Sequence, residues 1–162
     1  MAQVFLLLGS NLGDRYKILS NAKNSISARI GIIKVESSIY ESDPWGFEHE
    51  NAFLNQVIIV KTELSPELVL KLSLGIESEL GRVRCNDDEY RGRLIDIDIL
   101  FYDDRIVYDE HLKIPHPLLH ERRFTLQPLV EIAPDVIHPV LQKTMKQLLD
   151  DCPDDLEAKQ IL

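Results

Sequence analysis

Leu94-Ile95-Asp96-Ile97-Asp98-Ile99-Leu100-Phe101 alternates without a break, and a period of two is the mark of a β-strand. Ile95, Ile97, Ile99 and Phe101 take one face, and Leu94, Asp96, Asp98 and Leu100 take the other. One face belongs to a core. The second presents two carboxylates whose Cα atoms stand about 6.6 Å apart, a spacing at which they can share a cation. Oxygen-only ligation suits Mg²⁺, which binds through one or two carboxylates together with substrate phosphates.

The flanking segments set the fold. Upstream, Ser65 is placed to cap a helix with Pro66 at its first position and Glu67 in its first turn, and Gly81 ends it. Its core stripe is Val69, Leu72, Ile76 and Leu80, leaving Glu77 to Glu79 on or beside the exposed side. Residues 52–62 read as a strand around Val57-Ile58-Ile59-Val60, residues 41–51 as a loop with Pro44 and Gly46, and residues 32–40 as a strand. Before them, residues 14–30 are helical, with Tyr16, Ile18, Leu19, Ala22, Ile26 and Ile30 on one broad face, and residues 3–8 form an apolar strand ending at Gly9. Downstream, Pro115, Pro117, Pro128, Pro134 and Pro139 limit the chain to short helices and connections, with a last helix near 144–150. The acidic stretch from Asp150 to Glu157 reads as a solvated tail. Strand, helix, strand, strand, helix, strand predicts the α+β class: a ferredoxin-like antiparallel sheet (βαββαβ) with helices on one face and extra short C-terminal elements. We expect a single domain over residues 1–162, of which 150–162 are the acidic tail.

Composition narrows the partners. With 162 residues, 44% hydrophobic and 28% charged, the chain has one domain's worth of sequence. Lys and Arg number 18 against 27 Asp and Glu, a net charge of −9, which argues against nucleic acid and anionic membrane. Cys85 and Cys152 form neither a disulfide framework nor a CxxC pair, and no segment reads as a signal peptide or membrane span. A cytoplasmic monomer is the expectation.

Charge is distributed unevenly. Of nine arginines, Arg82, Arg84, Arg91 and Arg93 crowd the twelve residues before the Asp-x-Asp strand, and no lysine occurs from 72 to 112. Arginine offers a planar, permanently charged fork that grips phosphate oxygens bidentately, so this bias points to phosphate. Arginines on one side and a carboxylate-bound cation on the other suit a nucleoside triphosphate. No GxxxxGK[ST] loop exists, and Gly9-Ser10-Asn11-Leu12-Gly13 reads as a strand-to-helix turn. His116 and His120 lack a third soft ligand for zinc, and His116 is better used toward a phosphate. Trp45, Phe47, Phe53 and Asn55 suit a flat heterocycle, stacked on rings and read by hydrogen bonds. Cys85 has no identifiable base or resolving thiol beside it and reads as incidental.

Gly9-Ser10-Asn11-Leu12-Gly13-Asp14, Tyr40-x-Ser42-x-Pro44-x-Gly46, Phe53-Leu54-Asn55, Glu77 with Gly81-Arg82-x-Arg84, Arg93-x-x-Asp96-Ile97-Asp98, Pro115-His116-Pro117, Glu121-Arg122-Arg123-Phe124 and Glu131-Ile132-Ala133-Pro134 follow one another in order. Together they resemble the 6-hydroxymethyl-7,8-dihydropterin pyrophosphokinase family from about residue 4 to residue 139. The resemblance implies transfer of the terminal diphosphate of Mg-ATP to the pterin hydroxymethyl group, with release of AMP, in folate synthesis. It implies Asp96 and Asp98 as ligands of two Mg²⁺ ions, with ATP as co-substrate. Arg82, Arg84 and Arg93 correspond to loop arginines, Arg82 and Arg93 closing on the transferring groups. His116 and Arg122 resemble the holders of the ATP phosphates, Glu77 a nucleotide contact, and Ile99 and Leu112 the backbone contacts of adenine. Phe53 and Phe124 resemble the rings that sandwich the pterin, with Asn55 and the stretch Ser42, Asp43 and Trp45 reading its edge. A nucleotidyltransferase would also pair Gly-Ser with Asp-x-Asp, but there the motifs sit close together, whereas 86 positions separate Ser10 from Asp96. An RNA-binding module of similar fold is disfavoured by the net charge and by the lack of an aromatic strand motif.

Overall fold

The computed structural model describes residues 1–43, 52–81 and 94–162. Its centre is the strand β1 (Ala2–Ser10), whose seven residues from Val4 onward are all buried. Such a continuous apolar run marks a strand covered on both faces. β4 (Phe53–Thr62) pairs with it antiparallel on one side and β5 (Asp96–Tyr102) antiparallel on the other. β2 (Ile32–Glu36) and β3 (Tyr40–Ser42) both pair with β4. The order β5-β1-β4-β3 along an antiparallel sheet is the ferredoxin-like arrangement expected from the sequence.

The expected strand over 32–40 is in fact two. After Glu36 the chain steps out at Ser37, whose Oγ accepts from Val57 N, and re-enters the sheet at Tyr40. Within β2 the register with β4 also shifts between Ile33 and Val35.

α1 (Arg15–Arg29) is capped by the Asp14 carboxylate, which accepts from Lys17 N, and it buries Leu19, Ala22 and Ile26; Tyr16, expected on that face, is exposed. α2 (Pro66–Glu79) begins as expected, with Ser65 Oγ accepting from Leu68 N and Pro66 in the first turn. It ends at Gly81, whose φ of 99° is a backbone conformation that glycine takes without a Cβ penalty. Both helices pack on one face of the sheet, over Val4, Leu6, Leu8, Ile58 and Val60.

The other face is covered as well, which corrects the expectation of helices on one side only. α3 (Arg123–Ile132) and α4 (Met145–Asp150) lay Leu126, Leu129, Met145 and Leu148 over Phe5, Leu7, Val57 and Ile59. Proline did not restrict this region as far as the composition implied: Pro128 lies inside α3, in ten residues of helix. α4 carries a complete capping box, in which the Thr144 and Gln147 side chains each accept from the other's backbone N–H.

Between these helices and β5 lie a small hairpin, β6 (Val107–Tyr108) with β7 (Lys113–Ile114), and a single 3-10 turn (Leu119–Glu121). Most of residues 150–157 are exposed, as expected of a solvated stretch, yet the C-terminus is tied down. Asp154 bonds to Arg123, Ala158 is buried, and β8 (Lys159–Gln160) pairs with β3 as the sixth strand. No helix of the described residues is long and apolar enough to cross a membrane.

Candidate active site

Register decides what faces what. Gly9 of β1 is the direct partner of Asn55 in β4 and of Asp96 in β5, so the three occupy one row across three strands. Leu7 likewise lies between Val57 and Asp98. Directly paired residues share a face, and Leu7 and Val57 belong to the α3 side of the sheet. Asp96 and Asp98 therefore open on that side, as do Asn55 and its neighbour Phe53 two positions earlier. Two inter-strand spacings place the Asn55 and Asp96 Cα atoms about 10 Å apart.

The floor between them is Gly9. A Cβ built there would touch Asn55 Oδ1 at 3.4 Å and Phe53 Cδ1 at 3.7 Å, so both side chains lean over the space that glycine leaves. Asn55 is 3% exposed and donates from Nδ2 to Ser42 Oγ at 2.8 Å, which fixes its amide against β3. Phe53 is half-buried, Ser42 is buried and Asp43 is exposed at the end of the described segment.

A cleft of about 370 Å³ opens at the outer edge of β5. That volume is in the range of small-molecule sites. Asp96, Asp98 and Ile99 from β5, Glu77 from α2, Leu112 from the hairpin and His116 all line it, bringing six of the sequence-predicted residues to one place. Glu77 is 2% exposed, which corrects its expected position on the outer side of α2. The helix stripe predicts where the sheet covers α2, and it cannot register a carboxylate turned into a cleft at a sheet edge.

β5 also departs from strict alternation. Phe5 pairs with Phe101 and Leu6 with Ile99, so Leu100 is an extra residue in a bulge. Phe101 is thereby turned to the α3 side, edge-on to Phe5 with ring centroids 5.5 Å apart, while Ile95, Ile97 and Ile99 stay on the α1 and α2 side.

The bulge lies where the following chain docks: His116 N donates to the Leu100 carbonyl at 3.0 Å. The His116 ring accepts at Nδ1 from Leu118 N, so as a neutral imidazole it carries its proton on Nε2. Burial first, and the Arg122 guanidinium second, lower its pKa from 6.5 to about 4, with the Asp96 carboxylate pulling the other way. Arg122, Asp96 and His116 thus form one electrostatic group. The Arg122 guanidinium carbon lies 5.6 Å from the centroid of the Phe124 ring, within cation–π range. Phe124 packs against the α3-side core.

Arg82, Arg84, Arg93 and Trp45, together with Cys85, lie outside the described residues. Among the described residues no group of three or more His, Cys, Asp or Glu is placed to hold a metal.

Fold and site together define an α+β domain of ferredoxin-like type, with a carboxylate pair and a cleft at one end of its sheet. The family described as 7,8-dihydro-6-hydroxymethylpterin-pyrophosphokinase matches residues 5–134. A 2-amino-4-hydroxy-6-hydroxymethyldihydropteridine pyrophosphokinase of Aquifex aeolicus is 45% identical over 148 residues, 91% of this chain and 90% of that relative. A folic acid synthesis protein of Pneumocystis carinii is 46% identical over 140 residues, 85% of this chain but 18% of that much longer relative. Among solved structures, wild-type Plasmodium falciparum HPPK-DHPS superposes with a TM-score of 0.75 at 18% identity, over 93% of this chain and 43% of that one. This chain therefore spans less than half of that solved chain, and the likeness there is one of fold. The chain belongs to the 7,8-dihydro-6-hydroxymethylpterin-pyrophosphokinase family.

Proposed function

We propose that the chain transfers the terminal diphosphate of ATP to the hydroxymethyl group of 6-hydroxymethyl-7,8-dihydropterin, releasing AMP, as a step of folate biosynthesis. The observation that carries this reading is the row Asn55, Gly9, Asp96, which sets a buried amide and a carboxylate on one sheet face with a glycine between them. A pterin held over Gly9 directs its substituent along that row toward the carboxylates.

The donor set fits Mg²⁺. Asp96 and Asp98 are both half-buried on one face and line the cleft, leaving most of a cation's coordination to phosphate oxygens and water. Two such ions, held by Asp96 and Asp98, would supply positive charge that neutralises the triphosphate. His116 donates its Nε2 proton to a phosphate oxygen, and Arg122 beside it supplies positive charge. Glu77, with the backbone at Ile99 and Leu112, holds the nucleoside. Phe53 and Phe124 stack the pterin, and Asn55 with Ser42, Asp43 and Trp45 reads its edge. Arg82, Arg84 and Arg93 complete the charge around the transferring group. No residue in this set is needed as a general base: the hydroxymethyl oxygen attacks the β-phosphorus in line, and catalysis is positioning and electrostatics. The chain works as a single-domain monomer over residues 1–162, in the cytoplasm.

The deciding assay supplies ATP, Mg²⁺ and the hydroxymethyl dihydropterin and measures AMP. Release of pyrophosphate with a nucleotidylated pterin would replace this reading with that of a nucleotidyltransferase.

A further inference from the structure

The family match ends at residue 134, and the last residues of the chain return to bond with α3 and β3. α3 begins without a side-chain cap of its own, because its N-cap residue is Arg122. The first turn of a helix leaves backbone N–H groups without partners, and a carboxylate is favoured there. Asp154 fills this role from 31 residues downstream: its Oδ2 accepts from Arg123 N at 3.1 Å, and its carbonyl accepts from Arg123 Nε at 2.8 Å. Its other carboxylate oxygen accepts from Leu156 N, which turns the chain along α3.

Gln127, one turn further along α3, then clasps Ala158 through both its amide groups, at 3.1 and 2.8 Å. β8 pairs Lys159 and Gln160 with Glu41 and Tyr40, and Ile161 N donates to the Ile39 carbonyl at 2.9 Å. One segment thus ties the start of α3, which carries Phe124, to β3, which ends on Ser42 and so on the partner of Asn55.

We propose that residues 154–162 are a positioning strap of the dihydropterin site, with Asp154 as its anchor. The proposal rests on the pterin reading given above. Phe124 and Asn55 reach the pterin from separate elements, and the strap fixes one relative to the other before substrate arrives. Without the Asp154 cap the first turn of α3 frays, and ordering Phe124 becomes a cost of binding. The carboxylate pair is untouched, so the chemical step is preserved once substrate is bound.

The test compares Asp154→Ala and Asp154→Asn with the wild-type chain in steady-state kinetics, alongside thermal midpoints. Asp154→Ala is expected to raise KM for the dihydropterin about fivefold, the size of one lost helix cap, with kcat within twofold of wild type. Asp154→Asn, which keeps an acceptor oxygen, is expected to stay within twofold in both. A lowered midpoint for Asp154→Ala with KM unchanged would make the strap purely structural and overturn the proposal. Wild-type protein that turns over no dihydropterin would overturn the pterin reading itself, and the strap's role with it.

Discussion

Arg15 donates from Nη1 to the Ala52 carbonyl at 2.8 Å, and from the same nitrogen to Glu41 Oε2 at 3.1 Å. Glu41 and Ala52 stand on either side of the segment between β3 and β4, so a single guanidinium at the start of α1 holds both ends. Arg15→Ala should raise KM for the dihydropterin severalfold and lower unfolding free energy by about 1 kcal/mol, the ion pair being partly exposed and the carbonyl bond supplying most of the effect. Urea titration and substrate saturation curves check the two numbers separately; an unchanged KM would confine Arg15 to stability.

Asp98 presents its carboxylate on the same face as Asp96, in register with Leu7. Asp98→Ala should cut Mg²⁺-dependent turnover by at least about a hundredfold, the scale of losing one electrostatic stabiliser. Pterin binding, measured at equilibrium, should remain close to wild type because Phe53 and Asn55 are two strands away. Chelation with EDTA should abolish turnover of the wild type, and added Mg²⁺ should restore it. Activity in the Asp98→Ala variant comparable to wild type would remove the pair from the mechanism.

Gly9 forms the floor between Asn55 and Asp96. Gly9→Ala places its Cβ at ordinary contact distance from Asn55 Oδ1 and should be tolerated, whereas Gly9→Val adds two methyl groups where Asn55 and Phe53 lean in. Dihydropterin affinity should fall about tenfold or more in Gly9→Val, while the far-UV spectrum stays native, since β-branched residues suit a strand. Equal affinity in the two variants would show that substrate does not lie over this position.

One half-buried ring and one buried ring set an acid limit. The pKa of His116 is lowered to about 4 by burial and by Arg122, and that of His138 to about 4 by burial and by the charge of His120. The folded chain keeps both rings neutral, so between about pH 6.5 and 4 the unfolded chain binds more protons. Their stabilisation is fully present above pH 6.5 and is lost as pH falls through that window. The thermal midpoint should drop by on the order of 10 °C across it. His138 Nδ1 accepts from Val140 N and Leu141 N, and the amide oxygen of His138→Asn can take over those bonds, so that variant should flatten part of the slope. An identical slope would acquit His138.

The sequence made the local devices legible. The Ser65 cap, the glycine stop at Gly81 and the shared face of Asp96 and Asp98 each depend on residues within a few positions, where spacing translates directly into direction. What escaped depends on pairing across the chain. The bulge at Leu100 exists only against Phe5 and Leu6, so alternation within 94–101 placed Phe101 on the wrong face. Glu77 is buried by a cleft assembled from three other segments, which no helical stripe records. The acidic stretch is largely exposed, as composition implied, but its bonds are made with distant segments: Asp154 caps α3, and Lys159 and Gln160 pair with β3. Proline count understated α3 because Pro128 costs one backbone bond in a helix whose Leu126 and Leu129 are fully buried.

The position of β5 at the end of the sheet has one more effect. Among the described residues β5 pairs with β1 alone, and its other margin is taken up by the 110–117 segment, where His116 N donates to the Leu100 carbonyl and Leu112 and His116 wall the cleft. The segment that walls the cleft therefore also screens this border of the sheet from pairing with a second molecule.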